Sequence, residues 1–222
     1  MKTKVNVKML VILAMLSAVA FVLASVIRIP LVPAVGFLGY EPKDVVLVIA
    51  GFIFGPLAPL AMITVISLLE GFTTSVLGPI GIPMNFIASA AFSCTASVIY
   101  KKWKTLRGAA VGLGVGVVVT TVIMLLWNYA LTPILLGIPR QAVEELLIPG
   151  FLPFNLIKGT LNAAIAMLLY KPIRIALSNA RLLPISDDSE ERAAKISIVT
   201  LLVSMFIVIT CVLVVLSWQG VI

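Results

Sequence analysis

The sequence predicts an all-α, polytopic membrane protein, built as a bundle of six helices with a seventh at the C-terminal end. Four observations carry this reading. Of 222 residues, 61% are hydrophobic and only 11% charged, whereas soluble domains carry roughly a quarter charged residues. The mean hydropathy of +1.20 means more apolar surface than one soluble core can hide. The apolar residues fall in runs long enough to span a bilayer, since about 20 helical residues cover ~30 Å. Finally, Lys and Arg sit in short clusters between these runs, the pattern that writes membrane topology. The net charge of +7 therefore reads as anchoring at a lipid surface rather than as nucleic-acid binding.

The first run, residues 9–27, follows Lys2, Lys4 and Lys8. It resembles a signal peptide, and Ala18-Val19-Ala20 mimics a cleavage site. It is nonetheless long for a signal core of roughly 7–15 residues, so it reads as the first span. Residues 28–43 interrupt the pattern with Pro30, Pro33, Gly36 and Gly39 and end in Glu41-Pro42-Lys43-Asp44. A hydrophobic loop of this length is expected to pack over something. Residues 45–74 fit either one kinked helix or two short ones broken at Gly55-Pro56. The positive-inside bias decides for two, 45–54 and 57–74, because one pass would put Lys101, Lys102, Lys104 and Arg107 outside. The short second span implies burial within the bundle or local thinning.

The fourth span covers residues 83–100. The fifth, 109–135, carries Gly112, Gly114 and Gly116 in its first half, which permits close helix approach. An external loop over 137–150 precedes the sixth span, 153–170, which ends in Lys171, Arg174 and Arg181. A polar linker with Asp187, Asp188, Glu190 and Glu191 leads to the seventh span, 196–218. The units are thus 1–177 (six-helix domain), 178–194 (cytoplasmic linker) and 195–222 (added helix). With the N-terminus cytoplasmic, only Arg28, Lys43 and Arg140 fall outside, and the C-terminus lies outside too. No internal repeat is evident, so an inverted-repeat transporter is not supported.

Polar groups inside a membrane are costly and mark function. Asn155 and Lys158 are three apart near the external end of the sixth span and share a helix face, which Asn162 continues. A lysine in a helix centre costs roughly 2.5–3.5 kcal/mol, which snorkelling reduces, so Lys158 reads either as a snorkelling residue or as part of a site. Asn128 and Asn85 have helix–helix glue as their bland role. Together all of these fall on the external half of the bundle, which favours a shared polar pocket with apolar walls. Glu70, the acid within the third span, has three readings: an interfacial residue first, then a partner of Lys158, or a ligand contact. Ala14 and Ala18 form a small-xxx-small pair, as do Ala20 and Ala24. The prolines near 79 and 133 read as shaping helix ends.

Cys94 and Cys211 fit neither a disulfide framework nor a metal spacing and read as lipid- or core-facing. Without histidine the commonest general base is missing, and there is no nucleophile–base or metal motif. A Gly-x-x-x-x-Gly-Lys-Ser/Thr loop is also lacking, so any ATP-driven uptake needs an ATPase on another polypeptide.

Several segments together resemble the substrate-binding S component of energy-coupling-factor (ECF) vitamin transporters, riboflavin type. They are Tyr40-Glu41-Pro42-Lys43-Asp44, Gly78-Pro79-Ile80-Gly81-Ile82-Pro83-Met84-Asn85-Phe86, Trp127-Asn128-Tyr129, Thr132-Pro133, Gly137-Ile138-Pro139-Arg140 and Leu152-Pro153-Phe154-Asn155-Leu156-Ile157-Lys158-Gly159 with Asn162. The resemblance extends to about residue 177. It implies a six-helix S-component bundle in a prokaryotic plasma membrane that binds riboflavin from outside, as a transported ligand and not as a cofactor. It also implies docking onto a membrane T component and two cytosolic ATPases, with Ala14 and Ala18 at the T-component contact. The implied substrate-binding positions are Asn128, Asn155 and Lys158, with Asn85, Gly78 and Met84. Phe37, Leu38 and Tyr40 on the first external loop would cover the flat isoalloxazine ring. The seventh span departs from the family pattern.

Three alternatives remain. A different vitamin is one, although a charged substrate calls for a more strongly charged pocket than this reading contains. A membrane enzyme would need an acid–base or metal constellation, and an assembly subunit would tolerate loss of Asn155 or Lys158.

Overall fold

The computed structural model describes residues 7–74, 78–180 and 198–220. Lys2, Lys4, Arg181 and the acidic linker residues fall outside them. The helices are α1 (Val7–Val26), α2 (Lys43–Phe54), α3 (Leu57–Thr73), α4 (Gly81–Lys102), α5 (Leu106–Leu136), α6 (Arg140–Leu146), α7 (Leu152–Asn179) and α8 (Ile198–Trp218). Among them α1, α4, α5, α8 and the α6–α7 run are long and apolar enough to cross a membrane.

Helix α2 is the axis of the bundle. Its 12 residues reach only about 18 Å at 1.5 Å per residue, yet everything from Lys43 to Phe52 is buried. It packs against α1, α3, α4 and α7. A stretch apolar on all sides, Val45-Val46-Leu47-Val48-Ile49-Ala50, suits such a position, because no face of it meets water or a single neighbour. Gly55, at φ 93, breaks the chain between α2 and α3 in a conformation side chains resist. The two short helices expected on either side of Gly55-Pro56 are therefore present.

Helix α1 lies against α2 and α3, burying Ile12, Leu13, Ala20 and Ala24. Helices α4 and α5 form the most extensively packed pair. Of the three glycines expected to permit approach, two do so. A Cβ on Gly112 would stand 2.8 Å from the Ala96 carbonyl oxygen, and one on Gly116 3.0 Å from that of Phe92, while Gly114 faces open space. Gly112→Leu is accordingly expected to lower the thermal midpoint of the purified protein by several degrees and Gly114→Leu to leave it unchanged. Equal midpoints for the two variants would refute the close-packing account.

Three sequence expectations are corrected. The loop over 28–43 contains a short antiparallel pair, β1 (Ile29–Pro30) with β2 (Gly39–Tyr40), in the register Ile29↔Tyr40 and Pro30↔Gly39. Between the strands a 3-10 turn (Pro33–Val35) tucks Leu31, Val32, Val35 and Leu38 inward. The expected loop over 137–150 is mostly helical. Helix α6 passes into α7 through a π turn, Leu147–Phe151. Pro149 has no N–H and would clash in a regular α turn, and the wider turn absorbs it. Helix α7 also continues past Tyr170, through Pro172, to Asn179, beyond the expected ends of both the sixth span and the first domain.

Helix α8 packs on α7. At the end of the bundle where α4 finishes, Phe52, Tyr100 and Tyr170 stack together. The two tyrosine hydroxyls lie 2.8 Å apart.

Candidate functional site

A pocket opens at the end of the bundle where α4 and α7 begin and α5 finishes, opposite Lys101 and Lys102. The β1–β2 segment lies over it. The cavity enclosed among the lining atoms is about 50 Å³, and the wider space that takes in its open mouth is about 600 Å³.

Each wall has a local origin. Met84 and Asn85 come from the first turn of α4, and Asn128 from the last third of α5. Phe154, Asn155 and Lys158 come from the start of α7, where the π turn aims them inward. Phe37, Leu38 and Glu41 descend from the β1–β2 segment, and Arg28 reaches in beside them. A Cβ on Gly39 would collide with the Arg28 side chain, so glycine there lets the arginine lie flat along the strand pair. Phe37 meets Phe151 edge-on, with ring centroids 6.2 Å apart.

Two of the asparagines are held by their own helices. Asn128 donates to the Met124 carbonyl oxygen (2.7 Å) and accepts from the Thr132 hydroxyl (2.9 Å). Asn155 donates to the Phe151 carbonyl oxygen at 2.8 Å. These bonds fix the carboxamide planes, and an amide offers more donors and acceptors than one bond uses.

Beside the amides lies a network of buried charge. Lys43, fully buried, donates to Glu41 at 2.8 Å and pairs with Glu70. Arg28 stands 3.9 Å from Glu41, and Lys158 stands 3.8 Å from Asp44. Asn85 donates to Glu70 (3.4 Å) and Asn162 to Asp44 (3.2 Å). Burial alone would raise the Glu41 carboxyl, but Lys43, Lys158 and Arg28 outweigh it and hold the group below the usual carboxylate range. Burial, and then the Asp44 carboxylate, push the Tyr40 hydroxyl up.

The structure brings most sequence-predicted positions together. Phe37, Leu38, Met84, Asn85, Asn128, Asn155 and Lys158 all line the pocket. Tyr40 does not; it is buried behind the cap in the cluster around Leu31, Val35 and Phe151. Gly78 opens a 3-10 turn before α4, also away from the lining. Glu70 is not interfacial. It is 2% exposed and pairs with Lys43, because α2 sinks its first residue beneath the cap. The pocket is also more ionic than expected, since Arg28, Glu41 and Lys158 all line it. Arg28, Glu41 and Lys43 were missed as site residues. The charged run Glu41-Pro42-Lys43-Asp44, facing a lone in-span acid, was the available signal. Ala14 and Ala18 are exposed on α1, on the face turned away from α2 and α3.

A membrane bundle with a capped pocket of amide, aromatic and charged walls at one end has the form of a solute-binding membrane protein. The chain belongs to the family of ECF transporter substrate-specific components, whose pattern matches residues 8–170. It is 33% identical over 171 residues to the riboflavin transporter RibU of Staphylococcus aureus (strain TCH60), covering 74% of this chain and 89% of that one. It is 31% identical over 177 residues to the riboflavin transporter FmnP of Bacillus subtilis (strain 168), covering 74% and 91%. A solved S component of a bacterial ECF transporter shares 34% identity at a TM-score of 0.65, over 77% of this chain and 97% of that one. The family is a transport component, and both relatives are named as transporters, so the chain is a transport protein and not an enzyme.

Proposed function

We propose that this protein captures riboflavin at the external face of a prokaryotic plasma membrane and delivers it inward together with a membrane T component and two cytosolic ATPases. The observation that carries the reading is the pocket. Fixed carboxamides on α5 and α7 share a lining with Phe37 and Leu38 of the cap, and two similar relatives are riboflavin transporters by name. An isoalloxazine ring is flat and largely apolar, with an imide edge that both donates and accepts. Asn128 and Asn155 match that edge, and Phe37 and Leu38 suit the ring face. Lys158 and Arg28, on the same lining, are donors that suit ribityl hydroxyls. Because Lys101, Lys102, Lys104 and Arg107 crowd the opposite end, the positive-inside rule turns the pocket outward and puts the N-terminus in the cytoplasm.

Titrating the detergent-purified protein with riboflavin tests this. Saturable quenching of flavin fluorescence is expected. A protein that leaves the fluorescence unchanged refutes the riboflavin assignment and moves the substrate to another vitamin. The two cations on the wall favour a second reading, a flavin carrying a phosphate, and titrating flavin mononucleotide in parallel decides between them.

The exposed face of α1 is the proposed T-component contact. Ala14→Leu combined with Ala18→Leu is expected to leave riboflavin binding intact and abolish uptake by cells, because bulky side chains block close helix approach. Undiminished uptake by this variant refutes the contact.

A further inference from the structure

Helix α8 lies beyond the family match, which ends at residue 170, and most of its surface is exposed. One stripe differs. Ser204, Val208, Cys211, Val215 and Gln219 recur at helical spacing along a single face. Ser204 and Val215 are buried. Val208, Cys211 and Val215 join an apolar cluster that holds the cap residues Leu31, Val32, Val35 and Leu38 together with Val143, Phe151, Phe154 and Leu161 of the α6–α7 run. At the end of the stripe the Gln219 side-chain amide donates to the Pro30 carbonyl oxygen at 2.6 Å. Pro30 pairs with Gly39 across the two strands, and Gly39 with Phe37 and Leu38 lines the pocket. One direct hydrogen bond and a shared apolar cluster therefore link the C-terminal helix to the segment covering the pocket.

We propose that α8 is a strap that holds the β1–β2 cap over the pocket and slows ligand exchange, with Gln219 as its positioning residue. The effect on ligand rests on the reading of the pocket as the binding site; the effect on the cap does not. A two-residue strand pair is too short to stay closed by its own ladder, and Pro30 has no N–H to add to it. The remaining hold comes from what packs against the segment, and α8 supplies part of it from a sequence separation of 189 residues.

The test uses the full chain and two measurements. Gln219→Glu removes the donor at nearly constant size, and Gln219→Lys keeps one. Hydrogen–deuterium exchange of residues 28–42 is measured without ligand, and riboflavin dissociation by stopped-flow fluorescence. Gln219→Glu is expected to speed both by about threefold, the worth of one modest hydrogen bond, with an unchanged thermal midpoint and with Gln219→Lys restoring the slow rates. Adding Val215→Ala is expected to bring the acceleration to about tenfold. Leu213→Ala, on the exposed face of the same helix, is the control and changes neither. Unaltered exchange of residues 28–42 in the double variant overturns the strap. Faster exchange with unaltered dissociation overturns its effect on ligand. A wild-type protein that ignores riboflavin refutes the assignment above, and the exchange measurement still decides the strap.

Discussion

Lys43→Met is expected to destabilise the folded protein more than any other single change at the pocket, by about 3–5 kcal/mol, the range found when one member of a buried ion pair is removed. The lysine is fully buried between Glu41 and Glu70. Without it, two carboxylates share a desolvated space with Asp44 close by. Their repulsion and the loss of their solvation act in the same direction. The loss is specific to the missing partner, so Lys43→Met combined with Glu70→Gln is expected to recover much of the stability. The measurement is the thermal midpoint in one detergent for wild type, both single variants and the double variant. A Lys43→Met midpoint equal to wild type, or a double variant no better than Lys43→Met, would show that the network does not hold the fold.

The second large effect concerns ligand. Asn155→Ala is expected to weaken riboflavin binding by between about 10- and 100-fold, as when a buried hydrogen-bond partner is left unmatched. Its amide is already oriented by the Phe151 carbonyl oxygen, so the wild-type site loses little side-chain freedom on binding, and alanine removes both the bond and the orientation. Lys158→Met removes a donor and also strips Asp44 of its cation, 3.8 Å away. That variant is expected to lose affinity and stability together, whereas Asn155→Ala loses affinity alone. Titration by flavin-fluorescence quenching, read beside the thermal midpoints, separates the two. Retained affinity in Asn155→Ala would remove this residue from the site.

The spans and much of the pocket were legible because their signals are local. A break at Gly55-Pro56, a basic cluster at 101–107 and an asparagine near a helix end are each visible within a few residues. Counting basic residues on each side then placed Asn85, Asn128, Asn155 and Lys158 at one end of the bundle, and the folded chain brings them into one lining. What escaped depends on contacts between distant residues. Lys43 and Glu70 are 27 apart, and nothing nearby in the chain shows that α2 carries its first residue below the surface. The same charge rule that oriented the bundle assigned Lys43 to the outside, because it counts charges without regard to depth. Tyr40 lies outside the lining for a related reason. Alternation along β2 turns Gly39 toward the pocket and Tyr40 behind it, and this two-residue strand is too short to show a period. The π turn before α7 was obscured because Pro149-Gly150 is ordinarily read as a loop.

The burial of α2 also bears on how the protein is made. An insertion machinery receives the chain from the N-terminus, so α2 arrives as a short segment headed by Lys43 and Asp44, before α4 and α7 exist to enclose it. Its lysine meets a partner soon, because Glu70 is on the next helix, and the Gly55-Pro56 break lets α2 and α3 enter together as one hairpin. Asp44 waits longer, since Lys158 and Asn162 are more than a hundred residues downstream. Until α7 is made, Asp44 lacks the two partners that the finished bundle gives it. The emergence of α7 is thus the step that gives Asp44 both of these partners.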